Sequence, residues 1–151
     1  MTYVEAHARD LDRPADEAWA VLARAGGDPR WWTPLPLWQL RGLADRVVGG
    51  PGFLLGGPGT VLSAGDEVDF WSVDSADFPV LRLRARTRLP GTAHLVATVE
   101  TLGAGSRLVL RSEFDPAGPV GHAYWWANLP AHRLVFARLA DRWADLLSDP
   151  R

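Results

Sequence analysis

The side chains best suited to chemistry in this chain are His132 and Tyr124, which lie eight positions apart in its last quarter. An imidazole and a phenol could act as hydrogen-bond donors, acceptors or an acid–base pair around a carbonyl group. The structural alternative is a core histidine that hydrogen-bonds a tyrosine or a backbone carbonyl, because buried polar groups usually find such a partner. The residues alone leave both interpretations of His132 open.

His132 belongs to a mostly apolar stripe that predicts a long C-terminal helix. The stripe consists of Trp125, Leu129, His132, Phe136, Leu139, Trp143 and Leu146. Steps of four and three positions keep all seven residues on one helical face, which must pack against an apolar surface. Arg133, Arg138 and Asp141 fall on other faces, so we expect that side to be solvated. Pro130 removes a backbone donor, and we expect it to kink or interrupt the helix just before His132.

Alternating strands between residues 66 and 114 predict this apolar surface, which we interpret as a curved antiparallel sheet. Keeping the apolar faces together pairs Val73 with Val80. The same rule pairs Thr101 with Ser106, because a one-residue slip would turn every side chain to the other face.

The inner face of the sheet is expected to line a cavity, because a sheet curved around one helix leaves a gap. With a bulge or an odd loop at the next turn, Leu83 lies opposite Val99, and both form the cavity floor with Leu110. Small polar residues on the same face are Ser72, Thr87 and Ser112. Each of them is either a harmless small polar residue or a ligand contact.

The outer face carries arginines at positions 82, 84, 86 and 88, a row that could suggest an anion or nucleic-acid site. The pairs expected across the strands are Glu67 with Arg86, Trp71 with Arg82, Glu100 with Arg107 and His94 with Glu113. Opposite charges thus meet although charge was not used to set the register, which supports the pairing. We interpret the row as a solvated, neutralised surface.

Two short helices are expected between the first strand and the rest of the sheet. After a strand from Tyr3 to Arg9, Asp12 is expected to cap a helix whose first turn holds Asp16 and Glu17. A second helix is expected to begin at Pro36. The tryptophans of this part of the chain are Trp31, Trp32 and Trp38. Some of them could line the mouth of the cavity.

Composition narrows the possible classes of function. The 151 residues fit one domain, 1–151, that is large enough for a core of its own. A net charge of −2 argues against a nucleic-acid partner, and the absence of cysteine excludes disulfides and thiolate chemistry. The four histidines show no metal-ligand spacing, so we expect no metal. With no visible signal peptide or membrane span, we expect a cytoplasmic protein.

The order of elements and several motifs resemble the START and polyketide-cyclase (SRPBCC) superfamily. Within it, the chain resembles one family that occurs alone or fused C-terminally to short-chain-dehydrogenase-like nucleotide-binding domains. The matching motifs are Leu37-Trp38-Gln39-Leu40-Arg41-Gly42, Asp69-Phe70-Trp71, Leu89-Pro90-Gly91, Phe114-Asp115-Pro116, and Tyr124-Trp125 with Pro130-Ala131-His132. The last of these is the most specific.

This resemblance implies an α+β helix-grip fold, in which a curved antiparallel sheet wraps around the long C-terminal helix and encloses a hydrophobic cavity. The expected ligand contacts are Trp38, Arg41, Ser72, Leu83, Thr87, Val99, Leu110, Ser112, Tyr124, Trp125 and His132. No nucleotide-binding half is visible in the sequence, so we expect no cofactor. The family supplies no established activity.

The sequence is therefore compatible with three functions from different classes. The first is binding of a small hydrophobic or aromatic molecule in the cavity. The second is an enzyme of cyclase, aromatase or dehydratase type that uses His132, with Tyr124, as acid–base groups. The third is a partner module for a separate nucleotide-binding dehydrogenase. Fold analogy alone does not choose among them, and it leaves the oligomeric state open.

Overall fold

The computed structural model describes residues 2–25, 31, 61–68, 71–86 and 89–148 of the chain. The elements in this part are β1 (Tyr3–Leu11), α1 (Ala15–Leu22), β2 (Glu67–Val68), β3 (Trp71–Asp77), β4 (Val80–Ala85), β5 (Gly91–Leu102), β6 (Gly105–Pro116) and α2 (Gly118–Ser148). A curved antiparallel sheet, a short early helix and a long C-terminal helix confirm the predicted helix-grip fold. The second short helix, expected from Pro36, lies outside the described residues.

The sheet has the strand order β1-β6-β5-β4-β3-β2, and every neighbouring pair is antiparallel. From β2 to β6, each strand lies beside the strand that follows it in sequence, as short connections favour. β1 instead pairs with the last strand, from Tyr3 opposite Phe114 to Leu11 opposite Ser106. In the described part of the chain, β1 and β2 are therefore the two edges of the sheet.

The predicted register of β5 and β6 is confirmed. Thr101 faces Ser106, and Leu95 faces Ser112 on the inner face. The two strands are joined by a two-residue turn in which Gly103 has a φ of 59°, a conformation that favours glycine. This short turn leaves little freedom for another register.

The predicted pairing of β3 with β4 is wrong. Val73 faces Leu83 instead of Val80, and the pairing continues until Asp77 faces Val80. The connection is a two-residue turn, whereas the prediction implied a longer loop. A β-bulge between Val73 and Ser75 shifts the register again, which strict alternation does not anticipate.

This register reverses the two faces of β3. Trp71, predicted to face Arg82 on the outside, lies inside with 5% of its surface exposed. Burying the largest apolar side chain of the strand removes the most apolar area from water. Ser72, predicted as an inner-face ligand contact, lies on the outer face opposite Arg84. Ser72 is therefore not part of the site.

β4 and β5 pair with Leu83 opposite Leu95, four positions from the predicted partner Val99. The last pair before their connection is Arg84 with His94. Because the shift is an even number of residues, Leu83 and Val99 both stay on the inner face, as expected.

The early helix α1 begins at Ala15, directly after Pro14. The predicted cap by Asp12 is wrong, because Pro14 occupies the capping position and no side chain caps the helix. The fixed φ of proline already suits a helix start. Asp16 and Glu17 lie in the first turn, as expected, where their charge favours the helix dipole.

The core lies between the inner face of the sheet and the apolar stripe of α2. The residues that α2 buries most deeply include Phe136, Leu139, Ala140, Trp143 and Leu147. The predicted stripe is thus confirmed, although Leu147 is fully buried and Leu146 only partly. α2 continues through Pro130, so the expected interruption does not occur. In the described ranges, no helix is long and apolar enough to cross a membrane.

The outer face is a network of ion pairs, as the arginine row predicted. The ion pairs are Arg82–Glu113 at 3.1 Å, Arg84–Asp74 at 3.7 Å, Arg86–Glu67 at 3.5 Å, Arg107–Asp10 at 2.8 Å and Arg111–Glu113 at 3.1 Å. Nε2 of His94 also lies 3.4 Å from Oδ2 of Asp74. The hydrogen bond from Arg107 to the Asp10 carboxylate raises the pKa of Arg107 above its ordinary value. Acidic partners thus neutralise Arg82, Arg84 and Arg86, while Arg88 lies outside the described residues.

Truncating Trp143 tests the packing of α2. Trp143 is 0% exposed, its Nε1 donates to the Trp31 carbonyl at 3.2 Å, and the two rings meet edge to face. We expect Trp143→Ala to lower the free energy of unfolding by about 3–5 kcal/mol in a urea titration. Trp126 on the same helix is 60% exposed, so Trp126→Ala should cost only about 0.5 kcal/mol. Equal losses from both variants would contradict the assigned faces of α2.

A charge reversal tests the assignment of the sheet faces. Arg84 is exposed and lies 3.7 Å from Asp74, so Arg84→Glu should cost well under about 2 kcal/mol of unfolding free energy. Its neighbour Leu83 is 0% exposed, and Leu83→Ala should cost about 2–5 kcal/mol. Collapse of the fold in the Arg84 variant, with Leu83→Ala tolerated, would show that the faces are reversed.

Candidate functional site

The predicted ligand contacts that the structure brings together lie where the inner face of the sheet meets α2. Leu83, Val99 and Leu110 form an apolar floor, with 0%, 0% and 1% of their surfaces exposed. Ser112 lies on the same face, opposite Leu95, and is 5% exposed. α2 packs on β1 and β6, so its middle turns stand over this end of the floor.

Aromatic rings line the side of α2 that faces the sheet. Trp125 stacks on Tyr3, with ring centroids 5.1 Å apart, and on Phe114 at 5.9 Å. His132 follows two turns later, with its ring 4.8 Å from Trp125 and 4.4 Å from Phe136. Spacings of seven and four residues place these three α2 rings on one face. His132 is therefore the polar member of an aromatic wall.

The two candidate catalytic residues do not form the expected pair. Tyr124 contacts Phe114, with ring centroids 5.6 Å apart. Eight residues of helix separate it from His132 by about 12 Å along the axis, which argues against a direct acid–base dyad. A histidine–tyrosine hydrogen bond does occur, but it joins Nδ1 of His122 and the hydroxyl of Tyr3 at 2.7 Å.

β1 adds a polar wall that the sequence prediction missed. Nε of Arg133 donates to Oε1 of Glu5 at 2.8 Å, and Nε2 of His7 lies 3.8 Å from Oε2 of Glu5. The second distance is longer than a hydrogen bond. The side chains of His7 and Glu5 are only 19% and 14% exposed. Glu5 pairs across the strands with Ser112, and His7 with Leu110, so both stand beside inner-face residues.

The alternation within β1 explains why this wall was missed. Small apolar residues such as Val4 alternate with Glu5 and His7 in β1. The rule that apolar residues face inward would bury Val4 and expose Glu5 and His7. Val4 is instead 51% exposed. The signal that could have found the correct face is the pair of bulky residues at the strand ends, Tyr3 and Leu11. They share the face of Glu5 and His7.

The charged groups on the inner side of β1 are held by α2. Besides the contact between Glu5 and Arg133, Nε of Arg9 donates to Oδ1 of Asp141 at 2.6 Å. Nη2 of Arg9 also donates to the carbonyl of Ala137 at 3.4 Å. Inward-pointing charges on an edge strand are a common device against edge-to-edge aggregation. Glu5 and Arg9 therefore have structural roles as well.

Two polar atoms of this region lack that structural explanation. Nε2 of His7 and Oγ of Ser112 are buried, and neither has a hydrogen-bond partner among the described residues. Each atom can take part in a hydrogen bond to a neutral group. Within the described ranges, no three histidine, aspartate or glutamate side chains are grouped so that they could hold a metal ion.

Among the remaining predicted residues, the structure places Ser72 on the outer face, away from this site. Trp38, Arg41 and Thr87 lie outside the described residues. Trp31, expected near the cavity mouth, is 3% exposed and packs on Trp143 in the core.

Comparison with solved structures shows the fold. Truncated norcoclaurine synthase from Thalictrum flavum is 14% identical, with a TM-score of 0.60, over 100% of this chain and 96% of that one. The same enzyme in complex with dopamine and hydroxybenzaldehyde is 13% identical, with a TM-score of 0.60, over 100% and 89%. The Zhui aromatase/cyclase from Streptomyces sp. R1128 is 22% identical, with a TM-score of 0.53, over 97% and 94%.

These similarities agree with the START and polyketide-cyclase-like fold that the sequence motifs predicted. At identities of 13–22%, they support the fold and not a function. No curated protein sequence matches the chain. A family model matches residues 1–139, which is most of the chain. The chain therefore belongs to the family described as "Protein of unknown function (DUF2867)".

Proposed function

We propose that this protein binds a small hydrophobic or aromatic molecule in a cavity between the inner face of the sheet and α2. The observation that carries the proposal is the position of His132, a polar ring between Trp125 and Phe136 on the sheet-facing side of α2. Sites for small molecules are mostly apolar, with a few polar groups that orient the ligand. The floor formed by Leu83, Val99 and Leu110 would supply the apolar part.

The flat rings of this region favour an aromatic ligand over an aliphatic one. Trp125 already stacks on two neighbours with interplanar angles of 9° and 10°. Offset and edge-on contacts between rings add about 0.5–1.5 kcal/mol each beyond the burial of apolar area. The norcoclaurine synthase that shares this fold has been crystallised with dopamine and hydroxybenzaldehyde, which are small aromatic compounds.

An enzyme of cyclase, aromatase or dehydratase type is the second candidate. One observation favours it: two histidines, His132 on α2 and His7 on β1, lie on elements that pack together beside a carboxylate. Imidazoles are the commonest general acids and bases in proteins. The separation of Tyr124 from His132 along the helix argues against a direct acid–base pair between these two residues. The dehydrogenase partner stays a prediction from the family resemblance.

A thermal-shift screen of aromatic compounds tests the binding function. A ligand at 100 times its Kd stabilises the native state by about 2.7 kcal/mol. For a chain of this size, that corresponds to a rise in Tm of about 5–10 °C. We expect His132→Leu to abolish or alter this rise while the far-UV circular dichroism spectrum stays unchanged.

Arg138→Leu is the matched control, because it introduces the same side chain on the exposed side of the same helix. We expect this variant to keep the wild-type rise in Tm. A screen in which no aromatic compound raises Tm would refute the binding function. Equal responses of wild type and His132→Leu would remove His132 from the site.

A further inference from the structure

We propose that Glu5 and His7 on β1, together with Ser112 on β6, form the polar end of the ligand site and recognise an aromatic hydroxyl group. This inference rests on the proposed binding function and names the chemical class of its ligand as a neutral phenol. It also assigns a role to two residues of the edge strand.

The side chains of Glu5, His7 and Ser112 lie close together on one face of the sheet. Glu5 and Ser112 are direct cross-strand partners, so their Cβ atoms lie about 5 Å apart on the same face. His7 is the next inward residue of β1 and stands diagonally across from Ser112. The contact between Glu5 and Arg133 brings α2 over the same point. The middle of α2 therefore roofs this polar group.

Some polar atoms of this group have a hydrogen-bond partner among the described residues, and others do not. Oε1 of Glu5 accepts a hydrogen bond from Arg133. Nε2 of His7 and Oγ of Ser112, by contrast, have no hydrogen-bond partner in the part of the chain that the structure describes. Ser112 is 95% buried, since 5% of its surface is exposed. Leaving such a group unpaired costs free energy, so a residue kept there calls for an explanation.

Ser106 shows what a purely structural serine on this strand face looks like. It lies six residues before Ser112 on the same side of β6, and it is 0% exposed. Its hydroxyl donates to the carbonyl of Arg13 at 2.7 Å, so its polarity is satisfied within the protein. The contrast between Ser106 and Ser112 separates a structural serine from a candidate ligand contact.

The hydrogen-bond donors and acceptors of these three side chains indicate which ligand group they fit. A carboxylate oxygen such as Oε2 of Glu5 only accepts hydrogen bonds, whereas the Ser112 hydroxyl and the His7 imidazole can each donate one. A ligand hydroxyl matches this set, because it donates to Glu5 and accepts from Ser112 or His7. A ligand carboxylate matches it less well, because Glu5 would repel it. The stacked aromatic wall beside this end makes an aromatic hydroxyl the best-fitting group.

Titration calorimetry on the full chain with 2-naphthol and naphthalene tests this inference, because naphthalene keeps the two rings but lacks both the donor and the acceptor of the hydroxyl group. We expect wild type to bind 2-naphthol about tenfold more tightly than naphthalene, as one or two net hydrogen bonds would give. Ser112→Ala and His7→Phe should each lower that ratio, because each removes a donor to the hydroxyl oxygen. Ser106→Ala should leave the ratio unchanged while lowering Tm, because it breaks a satisfied hydrogen bond.

Ser112→Ala also has an opposite structural signature. Without ligand, it should be at least as stable as wild type, because it removes an unpaired buried hydroxyl. If wild type binds both compounds equally, the inference is overturned and the binding function stands. If the ratio of the two affinities in Ser112→Ala and in His7→Phe equals the wild-type ratio, the assigned residues are wrong. If neither 2-naphthol nor naphthalene nor any compound of the aromatic screen binds, the binding function fails and this inference fails with it.

Discussion

The packing of one long helix on one side of a curved sheet is the constraint on which the rest of this molecule depends. Phe136, Leu139 and Trp143 fill the space above the fully buried leucines of β4–β6. Since α2 contacts mainly β6 and β1, the first and last strands must be neighbours, and β1 is drawn in as the edge beside β6. The residues proposed to contact a ligand lie where α2 meets these strands.

The sequence predicts the helix and the nearest hairpin well, for physical reasons. The three-four spacing of the stripe repeats over six turns, so chance matches are few, and the charged side follows from it. The β5–β6 register follows from a two-residue turn with a left-handed glycine. The β3–β4 register does not follow, because the turn is shorter than predicted and a bulge after Val73 breaks the alternation on which the assignment of faces rests. Ser72 was misplaced for these reasons.

The candidate site was predictable only in its apolar half. Leu83, Val99, Leu110 and Ser112 follow from strand alternation, and His132 follows from the helical stripe. Glu5 and His7 do not, because the contact that holds Glu5 inward is with Arg133, more than 100 residues away in sequence, and His7 lies on the same face of the strand. Local hydrophobicity gives the opposite face for β1. Only the bulky residues at the two ends of the strand, Tyr3 and Leu11, indicate the face that the structure buries.

The attachment of β1 has a consequence for how the molecule opens. One long side of this strand is held by β6, while its inner face is tied to α2 through Glu5–Arg133 and Arg9–Asp141, whose outer partners are 63% exposed in both cases. Exposed ionic ties weaken as ionic strength rises, whereas the apolar contacts of β4–β6 do not. Hydrogen exchange of the β1 amides should therefore accelerate with added salt while the central strands stay protected. At high ionic strength, the β1 edge of the sheet would then open locally more often than the central strands.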